Sequence, residues 1–159
     1  MFDLQTFTLI HVVISLIALA DGIALLILWS RGRDVPVLAT HAIVLLLATS
    51  ITGFMFPFVK FLPSHAFGIL SLILLTATVI ARWGKGLAGR WLTVYGATLA
   101  IAIYLDAFVA VVQALQKIPA LNALAPTDKS PGFMIAQGLL LVAFVLLGRS
   151  ALRGLRGSR

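Results

Sequence analysis

Long apolar runs separated by short polar connections dominate this sequence. Five of the runs hold enough residues to cross a hydrocarbon core of about 30 Å at about 1.5 Å per residue. They cover residues 6–29, 38–59, 66–83, 91–115 and 133–148. The third and the fifth are the shortest and need their flanks to complete a crossing. The pattern predicts an all-α fold, a single transmembrane domain built as a bundle of about five helices.

Composition agrees with this class of fold and excludes several classes of cofactor and partner. The chain has 159 residues, of which 61% are hydrophobic, and its mean hydropathy of +1.10 lies outside the range of soluble proteins. It has no cysteine, which excludes disulfides, iron–sulfur clusters and covalently attached c-type haem. The net charge is +7, but no basic patch is interleaved with aromatic residues, so we expect no nucleic-acid partner. The expected partners are the lipid bilayer and either another membrane protein or a second copy of this chain.

Cations are divided unequally between the two sets of connections. One set carries Arg31, Arg33, Arg82, Lys85, Arg90, Arg149, Arg153, Arg156 and Arg159, and the other carries Lys60, Lys117 and Lys129. By the positive-inside rule the first set is cytoplasmic. We therefore expect a multi-pass membrane protein with its N-terminus outside and its C-terminus in the cytoplasm.

Three segments need a separate interpretation. Ala18-Leu19-Ala20 matches a signal-peptide cleavage pattern, but no Lys or Arg precedes it and the apolar run continues to Trp29, so we expect the first span to be retained. Residues 116–131 contain three prolines and predict a short interfacial segment over the outer mouth of the bundle. Residues 149–159 form a basic tail, which we expect to lie on anionic headgroups, with a docking site for a partner as the alternative.

A carboxyl group inside an apolar span marks either a functional site or a bond between helices, because leaving it unpaired there is costly. Asp106 is such a group, and Gln113 lies about 20° from it around the same helix. His11 shares a stripe with Ser15 and small residues, so we expect it to face inward. The candidates for a polar pocket in the outer half are His11, His65, Asp106, Gln113 and Gln137. A second polar site in the inner half combines Asp21 with His41 and Thr52.

Two resemblances to known groups of proteins add expectations. The stretch SHAFGILSLILLTATVIARW, with His65 three residues before Gly68, resembles the haem-bearing helices of cytochrome b561-type proteins. That resemblance, which covers one span, implies a b-type haem. His11 and His65 are the only two histidines that we expect at a similar depth, so they would be its iron ligands. The phrases TFTLIHVVISLIALA, TSITGFMFPF and AFVAVVQALQKIPALNALAPT resemble a group of small uncharacterised bacterial inner-membrane proteins. This second resemblance implies architecture and compartment, and no activity.

No catalytic motif accompanies these polar residues. The chain has no glutamate, no HExxH, no P-loop and no GxGxxG, so we expect a protein that is not an enzyme. The leading hypothesis is a binding or accessory membrane subunit whose polar pocket opens to the periplasm. The alternatives are a b-type haem electron-transfer protein and a small proton-coupled carrier that uses buried Asp21 and Asp106.

Overall fold

The computed structural model of the chain describes residues 3–57 and 63–158. It is 83% helical and has no strand within those residues. The helices are α1 (Leu4–Ser30), α2 (Pro36–Gly53), α3 (Pro63–Val79), α4 (Arg90–Lys117), α5 (Pro119–Asn122) and α6 (Pro131–Gly157). A π-helical turn, Ile80–Gly84, continues α3. Prolines occupy the first turn of α2, α5 and α6, where the missing amide proton is not needed for a helical hydrogen bond.

Five of these helices are long and apolar enough to cross a membrane, in agreement with the fold class expected from the sequence. Their bounds differ from the predicted spans by more than three residues at two ends. The second helix ends at Gly53, before the predicted end at residue 59, and residues 58 and 59 lie outside the described part of the chain. The last helix continues nine residues beyond the predicted end at residue 148. The chain is therefore a multi-pass helical protein whose last helix includes the basic tail.

The basic tail is part of the bundle. It continues α6 as a helix to Gly157, and Ala151 and Leu155 on it are buried. These two residues, with Gly148, recur at a spacing of three and four along one helix face, which packs inward while the arginines project outward. Residues 149–157 are therefore a continuation of α6, and their expected place on anionic headgroups stays a prediction.

The segment between α4 and α6 contains only one turn of regular helix, α5. Asn122 ties it to α4 by donating a side-chain hydrogen bond of 3.3 Å to the carbonyl oxygen of Leu115. Ala125 is buried, whereas Ile118 and Leu124 are exposed. Exposed apolar residues on a short helical segment agree with the expected interfacial position, which itself stays a prediction.

Eight of the nine cations assigned to one side gather toward one end of the bundle, where α1, the π-helical turn and α6 end and α2 and α4 begin. We call this the arginine-rich end and its counterpart the opposite end. Arg159 and Lys60 lie outside the described residues. Most of the largest buried side chains lie in the arginine-rich half, among them Leu25, Trp29 and Tyr95.

Glycines let the helices approach closely in this half. A Cβ placed on Gly154 of α6 would lie 1.8 Å from the carbonyl oxygen of Trp29, so α1 and α6 touch through their backbones. A Cβ on Gly96 would meet Leu152 at 2.6 Å, and one on Gly22 would meet Ile103 at 2.7 Å. Small residues at such contacts are how membrane helices gain packing energy, since lipid supplies no hydrophobic drive to bring them together.

Candidate functional site

Two polar contacts join α1 to α2, one toward each end of the bundle. His11 contacts Thr52, with Nδ1 2.8 Å from Oγ1, and Asp21 contacts His41, with Oδ2 2.5 Å from Nδ1. In two antiparallel helices, the numbers of facing residues add to a nearly constant value. The sums here are 63 and 62, so both contacts fit one register of α1 against α2. The same pair of helices therefore carries one polar contact in each half.

The hydrogen bonds of Thr52 assign the tautomer of His11. The Thr52 hydroxyl has a single proton and donates it back to the carbonyl oxygen of Ala48 at 2.7 Å. Its oxygen can therefore only accept from the imidazole, so that Nδ1 of His11 carries the proton and donates it. In the neutral ring this leaves Nε2 as an acceptor.

Aromatic rings and a glycine fix the position of the His11 ring. Its ring lies edge-on to Phe56, with centroids 5.2 Å apart, and Phe56 in turn contacts Phe7 at 4.9 Å. On α2, a Cβ at Gly53 would lie 3.7 Å from the imidazole Cε1. The half-buried imidazole is thus held between α1 and the C-terminal turn of α2.

Asp106 is reached from the same face of α1. The hydroxyl of Ser15, one turn after His11, donates a hydrogen bond of 2.9 Å to Oδ1 of Asp106. The other oxygen, Oδ2, is enclosed and has no hydrogen-bond partner within the described residues. An enclosed polar atom without a partner loses its hydrogen bonds to water and gains none from the protein, which costs about 1–3 kcal/mol. Such an atom therefore needs an explanation beyond packing.

Two more enclosed polar atoms in the described part of the chain lack partners, and both lie in the same half. Gln137 donates from Nε2 to the carbonyl oxygen of Phe108 at 3.3 Å, which leaves Oε1 unpaired. Oγ1 of Thr49, one turn before Thr52 on α2, is also unpaired. Thr49 was not among the residues singled out from the sequence, although its spacing of three from Thr52 places the two close together on α2.

The structure separates Gln113 from Asp106 and places His65 at the start of α3. Gln113 is exposed on α4, although it shares a helical stripe with Asp106. Helical phase relates residues of one helix and does not tell how far a neighbouring helix follows the stripe, and seven residues carry Gln113 about 10 Å farther along. His65 is half-buried in the first turn of α3, where its ring lies 6.1 Å from that of Phe54.

Thr52 does not belong to the second polar site. It shares a stripe of α2 with His41, but the eleven residues between them amount to about 16 Å along the helix. Thr52 accordingly binds His11, while Asp21 and His41 bind each other. The sequence had left the partner of Asp21 open, because it does not give the register between two helices.

No group of three or more His or Asp side chains within the described residues could hold a metal ion. The bis-histidine haem site needs only two imidazoles and stays a prediction. The neighbours of His11 are Thr52 and Gly53 of α2 and Phe56, which follows α2, whereas His65 contacts Phe54.

Comparison with known proteins adds nothing to this geometry. No protein-family model, no curated protein and no solved structure matched the chain. The two resemblances read from the sequence, to cytochrome b561-type proteins and to small bacterial inner-membrane proteins, therefore stay predictions.

Proposed function

We propose that this chain is a binding or accessory subunit of the bacterial inner membrane, and that the carboxyl group of Asp106 is its binding group. The observation that carries this proposal is the enclosed, unpaired Oδ2 of Asp106, next to an Oδ1 that Ser15 already holds. A carboxyl group that served only to join α1 and α4 would gain nothing from an unpaired oxygen, whereas one that receives a ligand requires it.

The chemistry of the site restricts what it can receive. One hydrogen bond from Ser15 orients the carboxyl group and leaves Oδ2 able to accept one bond or to carry a proton. No Lys or Arg side chain pairs with Asp106 within the described residues. A small molecule with an N–H or O–H donor, or a proton itself, fits these conditions.

A carbodiimide that partitions into lipid tests the proposal. A protonated carboxyl adds across a carbon–nitrogen double bond of the reagent to give an O-acylisourea, which rearranges to an N-acylurea. Every reagent atom is retained, so the intact protein gains the mass of one reagent. We expect one adduct on the wild type in detergent micelles, measured by mass spectrometry and placed on Asp106 by peptide mapping.

The matched controls are Asp106→Asn and Asp21→Asn. Each removes one carboxyl group and keeps the side-chain size, but Asp21 is paired with His41. Labelling should disappear in Asp106→Asn and persist in Asp21→Asn. An unlabelled wild type, or equal labelling of Asp106→Asn and the wild type, would contradict a receptive Asp106.

A small proton-coupled carrier is a second candidate function, favoured by the placement of the two carboxyl groups. Asp106 lies in the half toward the opposite end, and Asp21 lies with His41 in the arginine-rich half. Intramembrane acids at different depths are the usual stations of a proton relay. This function predicts that proteoliposomes containing the chain take up protons faster than empty ones, measured with an internal pH dye, and that Asp106→Asn abolishes the difference. Equal rates in all three preparations would exclude it.

The proposed orientation follows from the arginine-rich end, which is cytoplasmic under the positive-inside rule. Because the chain has no cysteine, single cysteines report accessibility without background. We expect Lys129→Cys to react with a membrane-impermeant maleimide added to spheroplasts, and Ser158→Cys to react only after lysis. The reverse pattern would place the site of Asp106 nearer the cytoplasm.

A further inference from the structure

A groove runs along the outer surface between α4 and α6, and nothing proposed for Asp106 uses it. Its volume is about 370 Å³ and its lining is almost entirely apolar, which places it at the lower end of the range of ligand pockets, about 300–1,000 Å³. Ala100 and Gly148 lie opposite each other in it, with 3.9 Å between the Ala100 Cβ and a Cβ built on Gly148. The rings of Tyr104 and Phe144, with centroids 5.7 Å apart, lie farther along. Small residues followed by large ones leave a trough in the surface.

One cation lines this apolar groove. Arg149 is exposed and forms no ion pair or side-chain hydrogen bond within the described residues. It precedes Gly154 by five residues, about 7.5 Å along α6, and Gly154 packs against the end of α1 at Trp29. Its Cα therefore lies about 7.5 Å farther toward the middle of the bundle than this contact. In a bilayer, an unpaired arginine on an apolar surface is costly unless it meets an anion or extends to the headgroup region.

A second cation lies beyond the groove, along the contact between α4 and α6 at the arginine-rich end. Arg156 lies seven residues after Arg149, about two turns along nearly the same face of α6. It donates a 2.9 Å hydrogen bond to the hydroxyl of Thr93, which anchors its guanidinium on α4. The apolar groove therefore ends near two cations: Arg149, which projects freely, and Arg156, which Thr93 holds in place.

We propose that this groove binds one anionic phospholipid, with an acyl chain along Ala100 and Gly148 and the phosphate beside Arg149 and Arg156. The positive charge beside the groove favours an anionic lipid over a second copy of this chain. A basic pocket between transmembrane helices is the common binding site for anionic headgroups. A second copy of the chain, docked symmetrically through the same groove, would bring the two Arg149 side chains toward each other in a medium of low dielectric.

Native mass spectrometry of the detergent-purified chain tests this site. The probes are phosphatidylglycerol and phosphatidylcholine with identical acyl chains, so that only the headgroup charge differs. We expect the wild type to bind phosphatidylglycerol about fivefold more tightly, the effect of roughly one favourable cation near the phosphate. Arg149→Gln should remove that preference.

Two further variants separate the groove from the general charge of this end. Arg31→Gln removes one exposed cation near the end of α1, outside the groove, and should keep the preference. Ala97→Leu keeps every charge but fills the groove from its α4 wall, and should weaken binding of both lipids. Equal binding of the two lipids by the wild type, equal effects of Arg149→Gln and Arg31→Gln, or a lipid-free dimer as the main species would overturn the proposal.

Discussion

The two halves of the bundle differ in how their polar side chains are paired. In the arginine-rich half, Arg82 donates to the Tyr95 hydroxyl, the Pro36 carbonyl and the Thr40 hydroxyl, and Asp21 binds His41. In the half toward the opposite end, three side-chain oxygens are enclosed without partners within the described residues: Oγ1 of Thr49, Oδ2 of Asp106 and Oε1 of Gln137. Most of the largest buried side chains belong to the first half, as do the close glycine contacts at Gly22, Gly96 and Gly154.

This difference indicates that the two halves of the bundle have different roles. A half with paired polar groups and most of the largest buried side chains supplies stability and a fixed helix register. A half that keeps unpaired oxygens forgoes stability, which proteins commonly do where a site must receive something. The account therefore predicts that substitutions in the arginine-rich half cost more stability than comparable ones in the other half.

The largest effect is expected at the contact of α1 with α6. In Gly154→Ala the new Cβ would overlap the carbonyl oxygen of Trp29, so the two helices must separate. We expect a loss of about 3 kcal/mol in the free energy of unfolding, measured by reversible unfolding in mixed detergent micelles. Gly157→Ala, where a Cβ meets nothing within 4 Å, is the control and should unfold like the wild type. Equal stability of the two variants would remove the backbone contact from the account.

A smaller loss is expected at Arg82. In Arg82→Gln the fork of hydrogen bonds to α2 and α4 is broken, and we expect a loss of about 2 kcal/mol, the usual range for bonds from a charged donor. Arg90→Gln removes an exposed cation at the same end and should change the unfolding free energy little. If Arg90→Gln proved as costly as Arg82→Gln, the loss would reflect net charge and not these contacts.

A loss of about 1 kcal/mol is expected for Thr52→Val, because the valine keeps the shape but leaves Nδ1–H of His11 without its acceptor. Thr76→Val is a matched control. Thr76 makes the same backward bond to a carbonyl four residues earlier but is exposed on α3, so that its replacement should be nearly neutral. Identical unfolding curves for the two variants would mean that the contact with His11 contributes no stability.

The sequence predicted the fold class because hydropathy and helix length are properties of one segment at a time. It failed where a result depends on two segments. Ser15 lies on the same helical stripe as His11, but predicting its hydrogen bond to Asp106 requires the register of α1 against α4, which the sequence does not give. The assignment of Thr52 to His41 used helical phase without distance along the helix. Helical phase and the distance along the helix, taken together, would have excluded Thr52 as a neighbour of His41.

The tail shows a different limit of the sequence. Its arginines end the hydropathy signal at residue 148, while Gly148, Ala151 and Leu155 keep the helical spacing of a buried face to Gly157. Amphipathic spacing was therefore the signal that could have found the continuation of α6. The depth of Arg149 could not be read from the sequence, because it follows from the contact of Gly154 with Trp29.

The unfolding free energy of Asp106→Leu tests most directly whether Asp106 is kept for binding. Leucine has the same branched skeleton as aspartate, and Ser15 can turn its hydroxyl to a carbonyl of its own helix. Replacing a polar group that is only half satisfied by an apolar one of the same shape is neutral or stabilising. We predict an unfolding free energy within about 1 kcal/mol of the wild type, or above it. A loss of more than about 2 kcal/mol would show that Asp106 is a structural bond between α1 and α4, and would contradict the central claim.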